Sequence, residues 1–520
     1  MDKFYELIHH NKLDAGAIAP ELMIVATFLM ALIYDLTVPA LPGKDRKSTG
    51  WLCVIGLLMA LWLNFKQHYF FLSSGSGHVA QHVFSNMIVY DHFGTAFKTI
   101  VLIGTLISVL GALNAKELYG KNHGEFYLLL LSVCLGGMFL SCASNLLMLY
   151  LSLEALSVIS YAMAGYLRRD RKSAEAGIKY VIYGAMASGI MIYGMSYLYG
   201  LTGTLDLYGD GYGGIAKGIR ELEAGGTPAA GLIVVLALVF VGFLYKVAAV
   251  PFHYWSPDVY EGSPTIAAGF FSVVPKAAGF AGLIRVALAF FPPGGYEGSK
   301  SVLNAMNLEN VLVWLSVATM CLGNLAALAQ TNAKRMLAYS SIAHAGYMLA
   351  ALTALRDFDG PAAILFYLGV YLFMNLGAFL VLVAMENIFG GTDLRHLRGA
   401  IKREPLLSVA LCVFLFSLTG LPPLAGFMGK WYIMVQLGQA GRFGMVAWIG
   451  FNSVVSLYYY MLLAKAVAID PPVEGVEPQG RSPLLYNLVA LANCAALLLL
   501  FVYSEPVIQI CRAAFVKMGV

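Results

Sequence analysis

About fourteen apolar runs, each close to the roughly 20 residues that cross a hydrocarbon core, follow one another along this chain. They begin near Ala17, Gly50, Tyr90, Phe126, Asn145, Gly177, Gly231, Pro264, Asn310, Met336, Pro361, Leu406, Phe443 and Leu484. Lipid offers no partner to a backbone amide, so runs of this kind must be helices that satisfy their own hydrogen bonds. The charge content agrees: only 12% of the 520 residues are charged and mean hydropathy is +0.73, where a soluble chain carries about 25% charge. The fold class expected is an all-α integral membrane protein with about 14 transmembrane helices.

A formal net charge of +4 is small for this length and gives no reason to expect nucleic acid as a partner. The seven cysteines are scattered through apolar runs without CxxC spacing, which reads as buried thiols rather than a zinc or iron–sulfur site. Met1 to Asp14 is polar and mixed in charge, so no cleavable signal sequence is expected. There is no HExxH and no GxSxG, and no carboxylates cluster as acid and base, so a membrane-embedded enzyme with its own catalytic centre is disfavoured.

Orientation follows from the basic residues. About sixteen Lys and Arg lie in the odd-numbered connecting loops against about six in the even ones, led by RRDRK at Arg168 to Lys172 and by Arg395, Arg398, Lys402 and Arg403. Cytoplasmic loops carry the excess, which places both termini on the non-cytoplasmic side.

The chain also resembles itself. Lys179 to Leu207 aligns without gaps on Phe366 to Leu394, sharing Tyr180/Tyr367, Gly203/Gly390, Asp206/Asp393 and Leu207/Leu394. Carried forward, the alignment brings Lys246, before Pro251, beside Lys430, behind Pro422 and Pro423. Each unit then holds five spans, an odd number, so the second is inverted relative to the first. Inverted repeats with a broken helix in each half are typical of ion and solute transporters, where the break exposes backbone groups near the midplane. The boundaries expected are 1–125 for helices 1–3, 126–308 for the first repeat (helices 4–8), 309–470 for the second (helices 9–13) and 471–520 for helix 14.

Ionisable residues inside the spans mark the candidate site, because a charge at the bilayer centre costs about 2.5–3.5 kcal/mol on insertion scales. Lys246, Lys276 directly after Pro275, Lys430 and Glu154 all fall deep in apolar runs, and nothing within four residues of Glu154 can pair with it. Three lysines against one carboxylate are too unbalanced to be static pairs alone. Lys179 and His344 lie nearer the ends of their spans; Lys179 can snorkel to the interface and His344 can be a hydrogen-bonded core residue. A carboxylate about 6 Å from an ammonium, at an effective dielectric near 20, favours the charged form by about 3 kcal/mol. Moving or protonating Glu154 would therefore decide whether Lys246 keeps its proton. The reading is a proton path through Glu154, Lys246, Lys276 and Lys430, with Lys179 and His344 as further members.

Five segments together, LSLEALSVISYAMAGY, KSAEAGIKYVIYGAMASGIMIYGMSYLYGLTGTLDL, KVAAVPFHYWSPDVYEGSPT, KRMLAYSSIAHAGYM and GLPPLAGFMGKWYI, carry a likeness to a known family. The chain resembles subunit N (subunit 2 in mitochondria) of the proton-pumping NADH:quinone oxidoreductase, respiratory complex I, from about Ala17 to Tyr503. The resemblance implies fourteen spans, inverted five-helix repeats and broken helices 7 and 12. By resemblance Glu154 is the fifth-helix glutamate, Lys246, Lys276 and Lys430 are the lysines of the seventh, eighth and twelfth helices, and Lys179 is a sixth-helix lysine; His344 matches a polar relay position more loosely. A lysine at position 430 argues against the antiporter-like subunit M, and the absence of a long lateral helix argues against subunit L. The resemblance further implies a subunit of a redox-driven proton translocase without a redox centre of its own, the FMN, iron–sulfur clusters and quinone lying in other subunits. It implies subunit M and the small membrane subunits A, J and K as partners, in a bacterial plasma membrane. Other readings are a subunit of a multisubunit sodium/proton antiporter, a ferredoxin-driven complex of the same architecture, and a structural membrane scaffold.

Overall fold

The computed structural model describes residues 15–38, 46–73, 80–119, 123–208, 214–224, 229–290, 308–354, 359–473, 475 and 478–516. Eleven helices among these residues are long and apolar enough to cross a membrane. Two further spans are interrupted, and Ala333–Ala351 makes the fourteenth. That helix is less apolar because it carries Lys334, Arg335, Ser340, Ser341 and His344, all but Arg335 buried, and it needs no lipid-facing surface.

Spans 1 to 3 are Ala19–Thr37, Lys47–Ser73 and His92–Ala112, with a short antiparallel hairpin, Gln81–Val83 against Ile88–Tyr90, between the second and third. Spans 4 to 6 are His123–Cys142, Leu146–Ala164 and Arg171–Thr202. Span 7 is broken into Ala229–Val247 and Trp255–Gly262, and span 8 is Thr265–Phe290. Spans 9 to 11 are Leu308–Ala327, Ala333–Ala351 and Asp359–Phe389; span 12 is broken into Pro405–Thr419 and Ala425–Gln439; span 13 is Phe443–Ala468 and span 14 is Leu484–Val502. After it the chain forms one more helix, Ser504–Val516, which the division at 471–520 as helix 14 alone did not foresee. It packs back on spans 3 and 11, with Phe515 edge-on to Phe93 and Arg512 paired to Asp359 at 2.8 Å.

Burial runs opposite to that of a soluble bundle. Span 8 is buried along its whole length against spans 3, 4 and 11, whereas spans 1, 13 and 14 turn Leu29, Phe451 and Leu498 outward. Large apolar side chains on the outside are what lipid requires, and the polar side chains collect within.

The internal likeness reappears as geometry. Asn145 donates to the Asp206 carboxylate at 2.7 Å and Asn332 to the Asp393 carboxylate at 2.8 Å, each pair tying the start of one span to the turn after the next. Gly203 and Gly390, which close the helices before these turns, hold φ +70° and +76°, a region costly for residues with a Cβ. The two clasps lie five spans apart in a chain whose spans alternate in direction, so they face opposite ends of the molecule.

Candidate proton-carrying site

Both breaks occur where prolines deny the helix its ladder. The first half of span 7 ends at Val247, Ala248 swings to φ +59°, and Pro251 lies in the gap before the helix resumes at Trp255. In span 12, Gly420 at φ +88° ends the first half and Pro422 and Pro423 fill the gap. A helix end leaves carbonyls without intrahelical donors. Here buried side chains supply the donors: Trp255 Nε1 donates to the Tyr245 carbonyl at 3.0 Å, and Lys430 Nζ donates to the Thr419 carbonyl at 2.9 Å. The second lysine is thus held by the carbonyl that the break releases.

Lys246 is 1% exposed and donates to Ser157 Oγ at 3.0 Å, with its ammonium 5.8 Å from the centre of the Tyr180 ring. Glu154, one turn before Ser157 on span 5, acts on the same ammonium through space, while its Oε1 is buried without a hydrogen bond. The partner that the sequence demands of Glu154 is therefore electrostatic, and Ser157 is the residue in contact. Gly279 on span 8 makes room for Lys246: a Cβ there would stand 3.2 Å from its Cγ.

Lys276, fully buried, donates to the backbone oxygen of Ser341 at 3.0 Å and to its Oγ at 2.5 Å. Lys276 lies on the last span of the first unit and Ser341 on span 10 of the second, so this contact joins the two. One turn further along span 10, His344 is buried between two hydroxyls, Nδ1 2.6 Å from Tyr367 Oη and Nε2 3.2 Å from Tyr460 Oη, and lies within electrostatic reach of both Lys276 and Lys430. Tyr460 is hydrogen-bonded in turn to Ser340. Lys430, 3% exposed, also meets Ser453 Oγ at 3.3 Å and stands over the Tyr347 ring.

Lys179 stands apart from this interior row. At 35% exposure it pairs with Glu175 at 2.6 Å and Asp258 at 2.5 Å. Asp258 and Glu261, on the second half of span 7, also bind Arg335 of span 10 at 2.8 and 2.9 Å, and Glu261 binds Lys172 at 2.8 Å. This ionic ring around the end of the broken helix was not read from the sequence, although the acids stand three apart in SPDVYEG. Ser157, Ser341, Tyr367 and Tyr460 were also missed, because hydroxyl residues are too common in spans for their positions to signal a role.

Chemically, Lys246, Lys276 and Lys430 have hydroxyl and carbonyl acceptors, and among the described residues none is in ion-pair contact with a carboxylate. An amine so placed can hold a proton without a permanent counter-charge. Hydroxyls and a neutral imidazole accept on one side and donate on the other, so the Tyr367, His344, Tyr460 and Ser340 chain can pass one.

The sequence profile of the NADH:quinone oxidoreductase/Mrp antiporter transmembrane family matches residues 143–456, which contain all of these groups but Tyr460. A chain from Anaeromyxobacter sp. (strain Fw109-5), NADH-quinone oxidoreductase subunit N, is 39% identical over 98% of both chains, and NADH-quinone oxidoreductase subunit N 2 of Sorangium cellulosum (strain So ce56) is 41% identical over 96% of both. The chain belongs to the subunit N family. Among solved structures, a chain of respiratory complex I from Thermus thermophilus with bound aureothin superposes on this member with TM-score 0.75 at 32% identity, covering 94% of this chain and 98% of that one. A chain of the Mrp complex from Dietzia sp. DQ12-45-1b, 20% identical and covering 97% of both chains, gives TM-score 0.80, a likeness of fold.

Proposed function

We propose that this chain is a proton-translocating membrane-arm subunit of a complex I-type NADH:quinone oxidoreductase. Protons pass through Glu154, Lys246, Lys276, His344 and Lys430, driven by quinone reduction in other subunits. The carrying observation is the row of buried amines that crosses from one unit to the other without carboxylate contacts. Charge on Lys246 is favoured while Glu154 is ionised and disfavoured once Glu154 is protonated or moved, so the pair gates the row. Lys276 and Ser341 connect the units, and His344 relays between Lys276 and Lys430. Lys179 acts from the ionic ring, setting the position of the second half of span 7. The units are taken as 126–308 and 309–470, with Pro251, Pro422 and Pro423 as the breaks.

FMN, iron–sulfur clusters and quinone are assigned to other subunits, and the neighbours to the antiporter-like subunit M and small subunits A, J and K. The membrane is taken as the bacterial plasma membrane, with both termini outside. Support for this comes from the subunit N relatives and from the loop charges. The test is to purify the tagged chain gently from its membrane, identify what accompanies it, and measure redox-driven proton uptake in vesicles with Lys246→Met. Copurification of flavoprotein and iron–sulfur subunits with pumping lost in the variant is the expected result. Small antiporter subunits alone would assign the same lysines to sodium/proton exchange, and undiminished pumping by Lys246→Met would remove the gate.

A further inference from the structure

Where span 1 begins and the hairpin meets span 3, against the end of span 8, lies a second group of buried charges. Glu21, in the first turn of span 1, stands 2.6 Å from the Lys98 ammonium of span 3, at 1% and 2% side-chain exposure. Asp91, which caps span 3, and Arg285, near the end of span 8, form a fully buried two-pronged pair at 2.8 and 2.9 Å. Cys142 lies within electrostatic reach of all four charges, and Asp91, Tyr90 and Cys142 act on Lys98, while Cys134 faces Glu21. His92 and His68 meet beside the cap with their rings tilted at 55°, Nε2 to Nδ1 3.1 Å.

These two pairs differ in what they can do. An arginine does not give up its proton in proteins, so Asp91 and Arg285 are a fixed pair that locks span 3 to span 8. Lysine and glutamate both exchange protons. Both Glu21 oxygens are buried without a hydrogen-bond partner among the described residues, and Oε1 has only its ion-pair contact with Lys98. A purely structural carboxylate would be expected to engage its oxygens in hydrogen bonds, because a buried polar atom left unpaired is destabilising. Arg285 stands nine residues beyond Lys276 on the same span, about 13 Å along it, so the group is anchored to the span that joins the two units.

Resting on the function proposed above, we infer that Glu21 and Lys98 form a further proton-holding site of this subunit, built from spans 1 and 3, which precede the repeats. In the charged state Lys98 carries the proton. Transfer across the short contact breaks one N–H bond and forms one O–H bond, leaving an amine beside a carboxylic acid with no change in net charge. Glu21 then releases its proton to water at this end of the molecule, and the amine takes the next from the interior. Asp91 and Arg285 hold the field constant meanwhile.

The test uses the whole complex in vesicles, with the proton-to-electron ratio as readout and Lys246→Met as reference. Lys98→Arg keeps the cation and removes proton release. Parental assembly with at least a twofold fall in proton uptake per electron is expected; parental assembly with unchanged uptake overturns the inference. Should Lys98→Arg fail to assemble, the double neutral variant Glu21→Gln/Lys98→Met decides in the same way, since a buried ion pair can often be replaced by neutral groups of similar size. Failure of both to assemble would make the pair structural and end the inference. If Lys246→Met also pumps normally, the proposed function itself fails; if it alone loses pumping, only the Glu21–Lys98 site is lost.

Discussion

At the scale of single residues, the proposed gate would depend on Ser157 as well as on the two charges. Hydrogen bonds to charged groups contribute about 1.5–3 kcal/mol, and Ser157 Oγ is the contact that fixes where the Lys246 ammonium waits. Ser157→Ala should therefore slow redox-driven proton uptake severalfold in vesicles, less than Lys246→Met does; a rate equal to the parent would show that the hydroxyl is a bystander. If Glu154 and Lys246 act as one unit, their effects cannot add. The double variant Glu154→Gln/Lys246→Met should pump no worse than the more damaged single variant. A further loss in the double would separate the two residues.

At the scale of elements, the breaks are specified by backbone conformation. Gly420 holds φ +88°, and a Cβ there would stand 3.1 Å from Lys430 Cδ. Gly420→Ala should cost about 1–2 kcal/mol in backbone strain and also displace the lysine from the Thr419 carbonyl. A lower thermal midpoint together with reduced pumping is the expected pair of results; lower stability with pumping intact would mean that Lys430 does not depend on that carbonyl. Ala248 performs the equivalent turn in span 7 with a Cβ present, at φ +59°. Ala248→Gly should accordingly be tolerated or slightly stabilising, by about 1 kcal/mol or less, which a thermal melt of the purified complex would read.

At the scale of the whole molecule, two kinds of contact hold the units together. Lys276 on Ser341 is buried, whereas Arg335 on Asp258 and Glu261 is partly wet, at 30% exposure for the arginine. Exposed charges are screened by salt within about 8 Å at physiological ionic strength. Arg335→Leu should lower thermal stability modestly at low salt, with the difference shrinking as salt is raised. A loss independent of salt would point to packing of the arginine stem rather than its charge. Because this ring grips the second half of span 7, the same variant should alter pumping more than it alters electron transfer.

The sequence by itself determined the spans, the breaks and the inverted pairing, because lipid forces apolar runs into helices and proline and glycine interrupt them locally. It also made Glu154, Lys246, Lys276 and Lys430 legible, since a charge stands out against an apolar run. The tertiary structure alone decided what each charge touches. Ser157, Ser341 and Tyr460 are unremarkable in sequence, and become partners only when helices far apart in the chain pack side by side. Lys179 illustrates the difference: its position suggested snorkelling, and besides its neighbour Glu175 it is held by Asp258, 79 positions away. Hydrophobic periodicity is a local property, whereas the pairing of buried polar groups is set by which helices meet, and that depends on the whole packed bundle.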